Sequence, residues 1–337
     1  MLNIGVLGCS EIAYRRFMPA ALAAEGIRVL AVAEEYDRDR LEPFCGRYGL
    51  EREADFESIL KRQDIQAVYI PQPPALHFQW AARALEAGKH VLVEKPSTTE
   101  YRLTKKLTDL AESRGLALHE NYMFQYHLQM GEIRKLIREG RIGSLRLARA
   151  DFGFPLRAGD DFRYSQALGG GALLDAGGYT LRLAALLLGD SVKVDAAQLC
   201  GLPGYEVDMY GSAVLSNGSG QTCQIGFGMD CCYTCRLEVW GSTGRIVADR
   251  IFTAPPDYEP AIRIESEGNT EVISLQKDSQ FLHSIEAFYE ETTDSGRRRE
   301  MYREILLQAK LVDEVLSCSR KNSPGRSLHS AAKTVGT

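Results

Sequence analysis

"NIGVLGCSEIA", Asn3 to Ala13, is the stretch on which the fold turns. Ile4 to Leu7 form a short apolar run, Gly8 ends it, and helical spacing begins almost at once, with Ile12, Phe17, Ala20 and Leu22. A buried strand that turns through glycine into a helix opens a βαβ unit. The dinucleotide fingerprint is G-x-G-x-x-G/A, and here Gly8, Ser10 and Ala13 hold its three places. Gly8 supplies the tight turn. Ser10 stands where a second glycine would let backbone approach a pyrophosphate. Ala13 is small enough for close helix–strand packing. Ser10, Glu11 and Ile12 head the helix, whose N-terminus can hold a diphosphate. The match is degenerate, and a plain strand–helix turn is the alternative. Its place at the first strand of a βαβ unit favours the cofactor reading.

The same rhythm continues outward. "IRVLAVA" reads as a second strand and residues 37–48 as a second helix. "QAVYI", "HVLVE" and "LALHE" follow as strands, with helical stretches near 74–88 and 100–113. This alternation specifies a doubly wound parallel sheet, an α/β Rossmann domain. After Asn121 the pattern changes. A helix near 128–140 and the strand "LRLARADFGF" precede a leucine-rich helix at 172–188. Alternating strands follow, punctuated by Asn217-Gly218, Gly241 to Gly244 and Gly268-Asn269, and two helices close the chain near 279–293 and 300–318. The second part is therefore read as α+β, with a large, mostly antiparallel open sheet. The expected division is 1–121 for the dinucleotide-binding domain and 122–337 for a substrate-binding and oligomerisation domain. The polar tail from Lys321 is expected to fray.

Length and composition agree. The chain has 337 residues, enough for two cores. Its formal net charge of −5 argues against nucleic acid or an anionic membrane as a partner. Arg297-Arg298-Arg299 reads as a solvated helix start. No uninterrupted apolar run is long enough to span a bilayer, and no export signal is visible, so a cytoplasmic protein is expected. The eight cysteines are expected to be free thiols. Cys232 and Cys235 form a C-x-x-C without a second knuckle, on a strand that would point them to opposite faces, so no metal site is expected. If the outer face of the second sheet is partly apolar, it needs a partner, and a homodimer or homotetramer through that face is the expectation.

Two strand ends carry charge. The second strand runs into Glu34 and Glu35. An acid there can accept from ribose hydroxyls and repels a 2′-phosphate, which favours NAD over NADP, while Arg38 and Arg40 soften that preference. "KHVLVEKPSTT", Lys89 to Thr99, ends a core strand on Glu94 and Lys95 and then stops it with Pro96. Ligands bind outside the carboxyl ends of such strands, so Lys95 is placed for chemistry and Glu94 for a cofactor ribose. A solvated charged loop is the bland alternative. A cis bond at Pro96 would suit a tight site turn.

"GCSEIA", "PQPPALH", "EKP", "ENYMF" and "GGGALLDAGGY" together make the chain resemble the Gfo/Idh/MocA oxidoreductase family over nearly its whole length. "DDFRYSQALGGGALLDAGGY", "WGSTGRIVADRIFTAPPDYEP" and "SQFLHSIEAF" look most like the C-3 ketoreductases of nucleotide-activated deoxysugars. The resemblance implies an NAD(P)-dependent oxidoreductase that moves hydride between nicotinamide and a sugar ketone or alcohol. It implies Lys95 as catalytic lysine, Asp175 as substrate-site aspartate and Tyr179 as the catalytic tyrosine. Gln72, His77, Asn121 and Arg163 fall at its cofactor positions. Asp175 and Tyr179 are four apart, hence on one helix face. Tyrosine can protonate the alkoxide formed by hydride addition, with Lys95 either favouring phenolate or acting as the acid itself. His90, His119, His127, His283 and His329 are read as structural or solvated. Glu34-Glu35-Tyr36 departs from the deoxysugar branch, which generally carries a small polar residue and arginines there for NADPH. Two other readings remain: a free-sugar or cyclitol dehydrogenase, which would usually place histidine at 179, and a noncatalytic cofactor- or sugar-sensing regulator on the same fold.

Overall fold

The computed structural model describes residues 1–322. The chain forms two compact units, residues 1–123 with 281–306, and residues 124–280 with the helix from Leu307 onward. The first unit holds β1 (Leu2–Leu7), β2 (Ile27–Ala33), β3 (Glu51–Arg52), β4 (Ala67–Ile70), β5 (His90–Val93) and β6 (Leu118–Glu120). They form one parallel sheet in the order β3-β2-β1-β4-β5-β6. Every residue of β4 is buried, as a central parallel strand covered on both faces requires. The order reverses between β1 and β4, so the turns after these two strands flank the switch point where such sheets bind ligands. Helices α1 (Met18–Ala23), α2 (Leu41–Tyr48), α3 (Phe56–Lys61), α4 (Pro74–Glu86) and α5 (Tyr101–Arg114) connect the strands. The β3 edge and α3 were not legible in the sequence. β3 is two exposed charged residues without an apolar signal, and α3 starts on a local cap in which Asp55 accepts the Ser58 amide at 2.7 Å.

The second unit contains α6 (Leu128–Arg138), α7 (Gly178–Leu188) and an eight-stranded sheet. Its strands are β7 (Leu145–Gly153), β8 (Lys193–Gly201), β9 (Asp208–Ser216), β10 (Thr222–Gly228), β11 (Thr234–Gly241), β12 (Gly244–Asp249), β13 (Ala261–Ser266) and β14 (Asn269–Ser274). The order is β14-β13-β12-β11-β7-β10-β9-β8. Only the β7–β10 pair is parallel. Strict alternation buries Ala148, Ala150 and Phe152 of β7, Ile225 and Phe227 of β10, and Leu237 and Val239 of β11, and α7 packs against β7 and β10. Arg149, Asp151, Gln224, Arg236 and Trp240 stand on the exposed positions between them. By length and composition the stretch Gln166–Leu188 is apolar enough to cross a membrane, contrary to the expectation from unbroken apolar runs, but 72% of that window is buried. Cys232 lies exposed in the turn before β11, whereas Cys235 is buried and accepts the Phe252 amide at 3.3 Å. Among the described residues no three His, Cys, Asp or Glu side chains are grouped to hold a metal ion.

The last helices are α8 (Gln280–Thr293) and α9 (Ser295–Asn322). Residues 281–306 return to the first unit, where the Tyr302 hydroxyl donates to the Leu116 carbonyl. The division read from the sequence, 1–121 and 122–337, does not include this return. Nothing local marks it, because an amphipathic helix does not declare in sequence which sheet it will cover. The polar tail beyond Asn322, with His329, lies outside the described residues.

Candidate active site

In the first unit the candidate residues gather at the carboxyl ends of β1, β2, β4, β5 and β6. Gly8 has φ of +123°, a conformation L side chains rarely adopt, so its backbone rather than crowding is what calls for glycine. Ser10 is the cap of the following helix, its hydroxyl oxygen accepting the Ala13 amide at 3.2 Å. The amides of Glu11 and Ile12 are among those that helix geometry leaves without an intrahelical acceptor. The Glu11 side chain itself points into an exposed ion pair with Arg15.

Glu34 is turned inward, at 7% exposure. One carboxylate oxygen accepts the Cys9 amide at 2.6 Å, and the other accepts the amides of Tyr36 at 2.9 Å and Asp37 at 3.2 Å. Glu34 therefore ties the turn after β2 to the turn after β1. It also helps burial push the Cys9 thiol up to about 12, so that group is inert as a nucleophile. Glu35 caps α3 through the Phe56 amide at 2.9 Å. Tyr36, Arg38 and Arg40 are exposed beyond it.

The turn after β5 is held from three sides. Lys95–Pro96 is cis. The Lys95 amide donates to the Glu94 carboxylate. The Pro96 carbonyl lies 2.7 Å from Nδ1 of His77, which reaches across from α4. The Ser97 amide donates to Glu120 of β6 at 2.7 Å. His77 is fully buried, and its Nε2 lies 2.7 Å from the Gln72 carbonyl, so it joins the turns after β4 and β5. Burial pushes its pKa down to about 4, against the two carbonyls, which favour a proton on each ring nitrogen. Glu94 accepts from Tyr69 Oη and Asn121 Nδ2, each at 2.7 Å. Burial raises its pKa, and those two donors and Lys95 lower it.

Both amide atoms of Gln72 are buried and carry no hydrogen-bond partner. They sit beside Gly8 at the switch point. An orphaned amide next to a glycine turn and a helix head is the pattern that a dinucleotide would complete. The glycine turn, the helix head and the orphaned Gln72 amide thus fit a nicotinamide cofactor.

In the second unit a separate group of candidate residues stands at the start of α7. The glycine run before α7 is a necessity of close packing: at Gly171, with φ of +113°, a Cβ would sit 2.5 Å from Asp208. Asp208 accepts the Leu173 amide at 2.7 Å, and burial pushes its pKa up to about 6 against the amides of Leu173 and Ala172. A π-helical segment, Leu173–Gly177, then leads into α7 and carries Asp175. Asp175 accepts from Arg163 Nε at 2.6 Å, and the same guanidinium contacts Asp161 at 3.0 Å. Burial alone would lower the Arg163 pKa, but the two carboxylates outweigh it and hold the group above its ordinary value. Arg163, read from the sequence as a cofactor residue, is thus placed as the ion-pair partner of Asp175. Tyr179 is 6% exposed, its ring packed on Phe152, Phe124 and Phe252 at 5.3–5.9 Å between centroids. Glu120, Asp161 and Asp208 were missed in the sequence. Each acts by accepting a backbone amide or a guanidinium, which leaves no motif.

Comparison with known proteins gives the same picture. The profile of the oxidoreductase family with an NAD-binding Rossmann fold matches residues 2–122, and that of the GFO/IDH/MocA C-terminal domain matches residues 130–247. The dTDP-3,4-didehydro-2,6-dideoxy-alpha-D-glucose 3-reductase of Actinomadura kijaniata is 40% identical over 95% of this chain and 96% of its own length. The reductase of that name from Streptomyces violaceoruber is 41% identical over 93% and 94%. A 3-ketoreductase from Actinomadura kijaniata, solved with NADP and TDP-benzene, superposes with a TM-score of 0.90 at 40% identity, covering 94% of this chain and 97% of that one. The chain belongs to the Gfo/Idh/MocA oxidoreductase family and carries its NAD(P)-binding Rossmann fold.

Proposed function

We propose that this family member reduces the C-3 ketone of a deoxyhexose carried on a nucleoside diphosphate, with NADP(H) as the cofactor. The observation that carries this reading is the 40% identity to a 3-reductase along 95% of the chain. The intact set of Lys95, Asp175 and Tyr179 supports it, since a sensor has no chemical need for all three.

When bound, the reduced nicotinamide supplies the hydride. The chain's residues supply position and a proton. Tyr179 is proposed as the proton donor: its O–H bond breaks as the carbonyl oxygen, reduced to an alkoxide, takes the proton. Lys95 is proposed to bind that oxygen as an ammonium and to favour the resulting phenolate, which solvent reprotonates. Asp175, paired with Arg163, is proposed to accept from a sugar hydroxyl and fix the ring. The reading requires Lys95 and Tyr179 to serve one carbonyl. A double-mutant cycle checks that: Lys95→Ala and Tyr179→Phe combined should cost much less than the product of their separate effects.

The choice of NADP(H) departs from the preference for NAD read in the sequence. Glu34 is occupied by three backbone amides and faces inward, so it is a poor acceptor for a ribose. Arg38 and Arg40 then offer charge to a 2′-phosphate and Tyr36 a ring face to the adenine. The relative solved with NADP supports the same choice.

The test of the whole reading is turnover. A dTDP-linked 3-keto-deoxyhexose with NADPH should be reduced, and free sugars or cyclitols with NAD should not. Efficient turnover of a free sugar or cyclitol would replace it with the dehydrogenase reading. We also propose self-association through the open face of the eight-stranded sheet. That face has a hollow of about 520 Å³ lined by Arg149, Asp151, Ser212 and Val214, among others, so charges of both signs can pair across a two-fold axis. Val214→Glu should shift a dimer to monomer in light scattering. An unchanged mass for this variant, or a monomeric wild type, would reject the idea.

A further inference from the structure

A second polar system lies behind the Lys95 turn, and the proposed reaction does not use it. On α8, Ser284 Oγ donates to Asn121 Oδ1 at 2.8 Å, and it lies 3.0 Å from Nε2 of His119 on β6. Nδ1 of His119 lies 2.9 Å from the carboxyl of Glu291, one helical stretch further along α8. Asn121 passes the chain on, donating through Nδ2 to Glu94 at 2.7 Å. Ser284 and His119 have no exposed surface, and Asn121 and Glu291 are 2% and 4% exposed.

The composition is that of a Ser–His–acid triad, but the polarity is reversed. In acyl transfer the imidazole takes the serine proton. Here the single serine proton is already directed at Asn121, so the hydroxyl oxygen must accept from His119 and Nε2 must carry a proton. The sequestered serine has no path to a substrate. Each bond instead fixes the direction of the next. His119 sets the Ser284 rotor, Ser284 sets the Asn121 amide, and Asn121 presents N–H rather than C=O to Glu94.

We propose that Glu291, His119 and Ser284 are positioning residues that act through Asn121 to keep Glu94, and with it the Lys95 turn, in one orientation and one charge state. The proposal rests on the reading of Lys95 as catalytic. The groups facing Glu94 are Tyr69 from β4, Asn121 from the end of β6 and Lys95 beside it. Those facing Glu291 are His119, with Glu304 and Arg297 from α9. Loss of the Asn121 donor removes one of the bonds that stabilise the Glu94 carboxylate in a buried place, so Glu94 should then hold its proton to higher pH.

The test uses the full chain and the near-isosteric pair Ser284→Thr and Ser284→Val, which crowd the site equally and differ in the hydroxyl. The Val variant should lose kcat on the order of ten- to hundredfold relative to the Thr variant, with little change in sugar KM. The acid limb of its pH–kcat profile should move to higher pH. In ¹⁵N spectra of histidine-labelled protein, His119 Nε2 should carry a proton in the wild type, and Nε2 should lose its fixed tautomer in the Val variant. Equal kcat and equal acid limbs in two folded variants would overturn the proposal. If no 3-keto sugar is turned over by the wild type, the substrate reading fails. The histidine spectra still decide the relay, and an Nε2 without a proton in the wild type overturns it.

Discussion

The turns after β5 and β2 both end a parallel strand in charge, yet they are built differently. After β5, buried side chains from α4, β5 and β6 hold the backbone at Lys95, Pro96 and Ser97 in turn. After β2, one inward glutamate anchors the start, and Tyr36, Arg38 and Arg40 then run out into solvent. A reacting group has to be held to within a fraction of an ångström. A group that selects between ribose and ribose phosphate can be adjustable, because the charge it reads acts over several ångströms. The proposed division follows: rate is set at the first turn and cofactor choice at the second.

The largest effect should come from the clamped turn. Lys95→Ala is expected to lower kcat by about 10³-fold, in line with the loss of a proton-transfer or oxyanion group, measured under saturating NADPH and sugar. Loss of kcat by less than about threefold would remove Lys95 from the chemistry. Next in size, Glu120→Ala leaves the buried Ser97 amide without its acceptor. It should destabilise the fold by about 2 kcal/mol, read by urea unfolding, while Glu120→Gln should recover most of that. The open turn should respond in binding alone. Arg38→Ala combined with Arg40→Ala should weaken NADPH about tenfold, or about 1.4 kcal/mol, and leave NADH almost unchanged. Equal weakening of both cofactors would mean the arginines do not read a 2′-phosphate.

A further effect concerns the second unit and depends on pH. The Asp208 carboxyl titrates near 6 in the fold, above the unfolded value near 3.9. The folded state therefore holds this proton more tightly. Its contribution to stability is full below pH about 4 and is lost as pH rises through about 6. Asp208→Asn keeps an oxygen for the Leu173 amide and has no such titration. The stability of the variant relative to wild type should thus rise between pH 4.5 and 7.5 in denaturant melts. A constant difference would show that the Asp208 carboxyl is not perturbed.

Much of this was legible in the chain. The β-α rhythm and the charged end of β5 follow from periodicity and short spacing, whereas Asp175 and Tyr179 were singled out by the family resemblance, and Asp175 lies on a π-helical segment that the spacing did not suggest. The cis bond at Pro96 was also anticipated. Other features depend on contacts that no local pattern encodes. His119 meets Glu291 across 172 residues, and its surroundings in "LALHE" suggest only a core strand. Glu34 lies at the expected strand end, but whether its carboxylate faces outward to a ribose or inward to amides is decided by the backbone of the neighbouring turn. Arg163 was assigned to the cofactor by resemblance, and only the fold brings Asp175 beside it.

The division between the two turns is tested most directly by titrating NADPH into Lys95→Ala while its turnover is measured. The account predicts an affinity within about threefold of wild type together with a kcat reduced by about 10³. Affinity and turnover lost together would contradict it, because the lysine would then be holding the cofactor site rather than performing the chemistry.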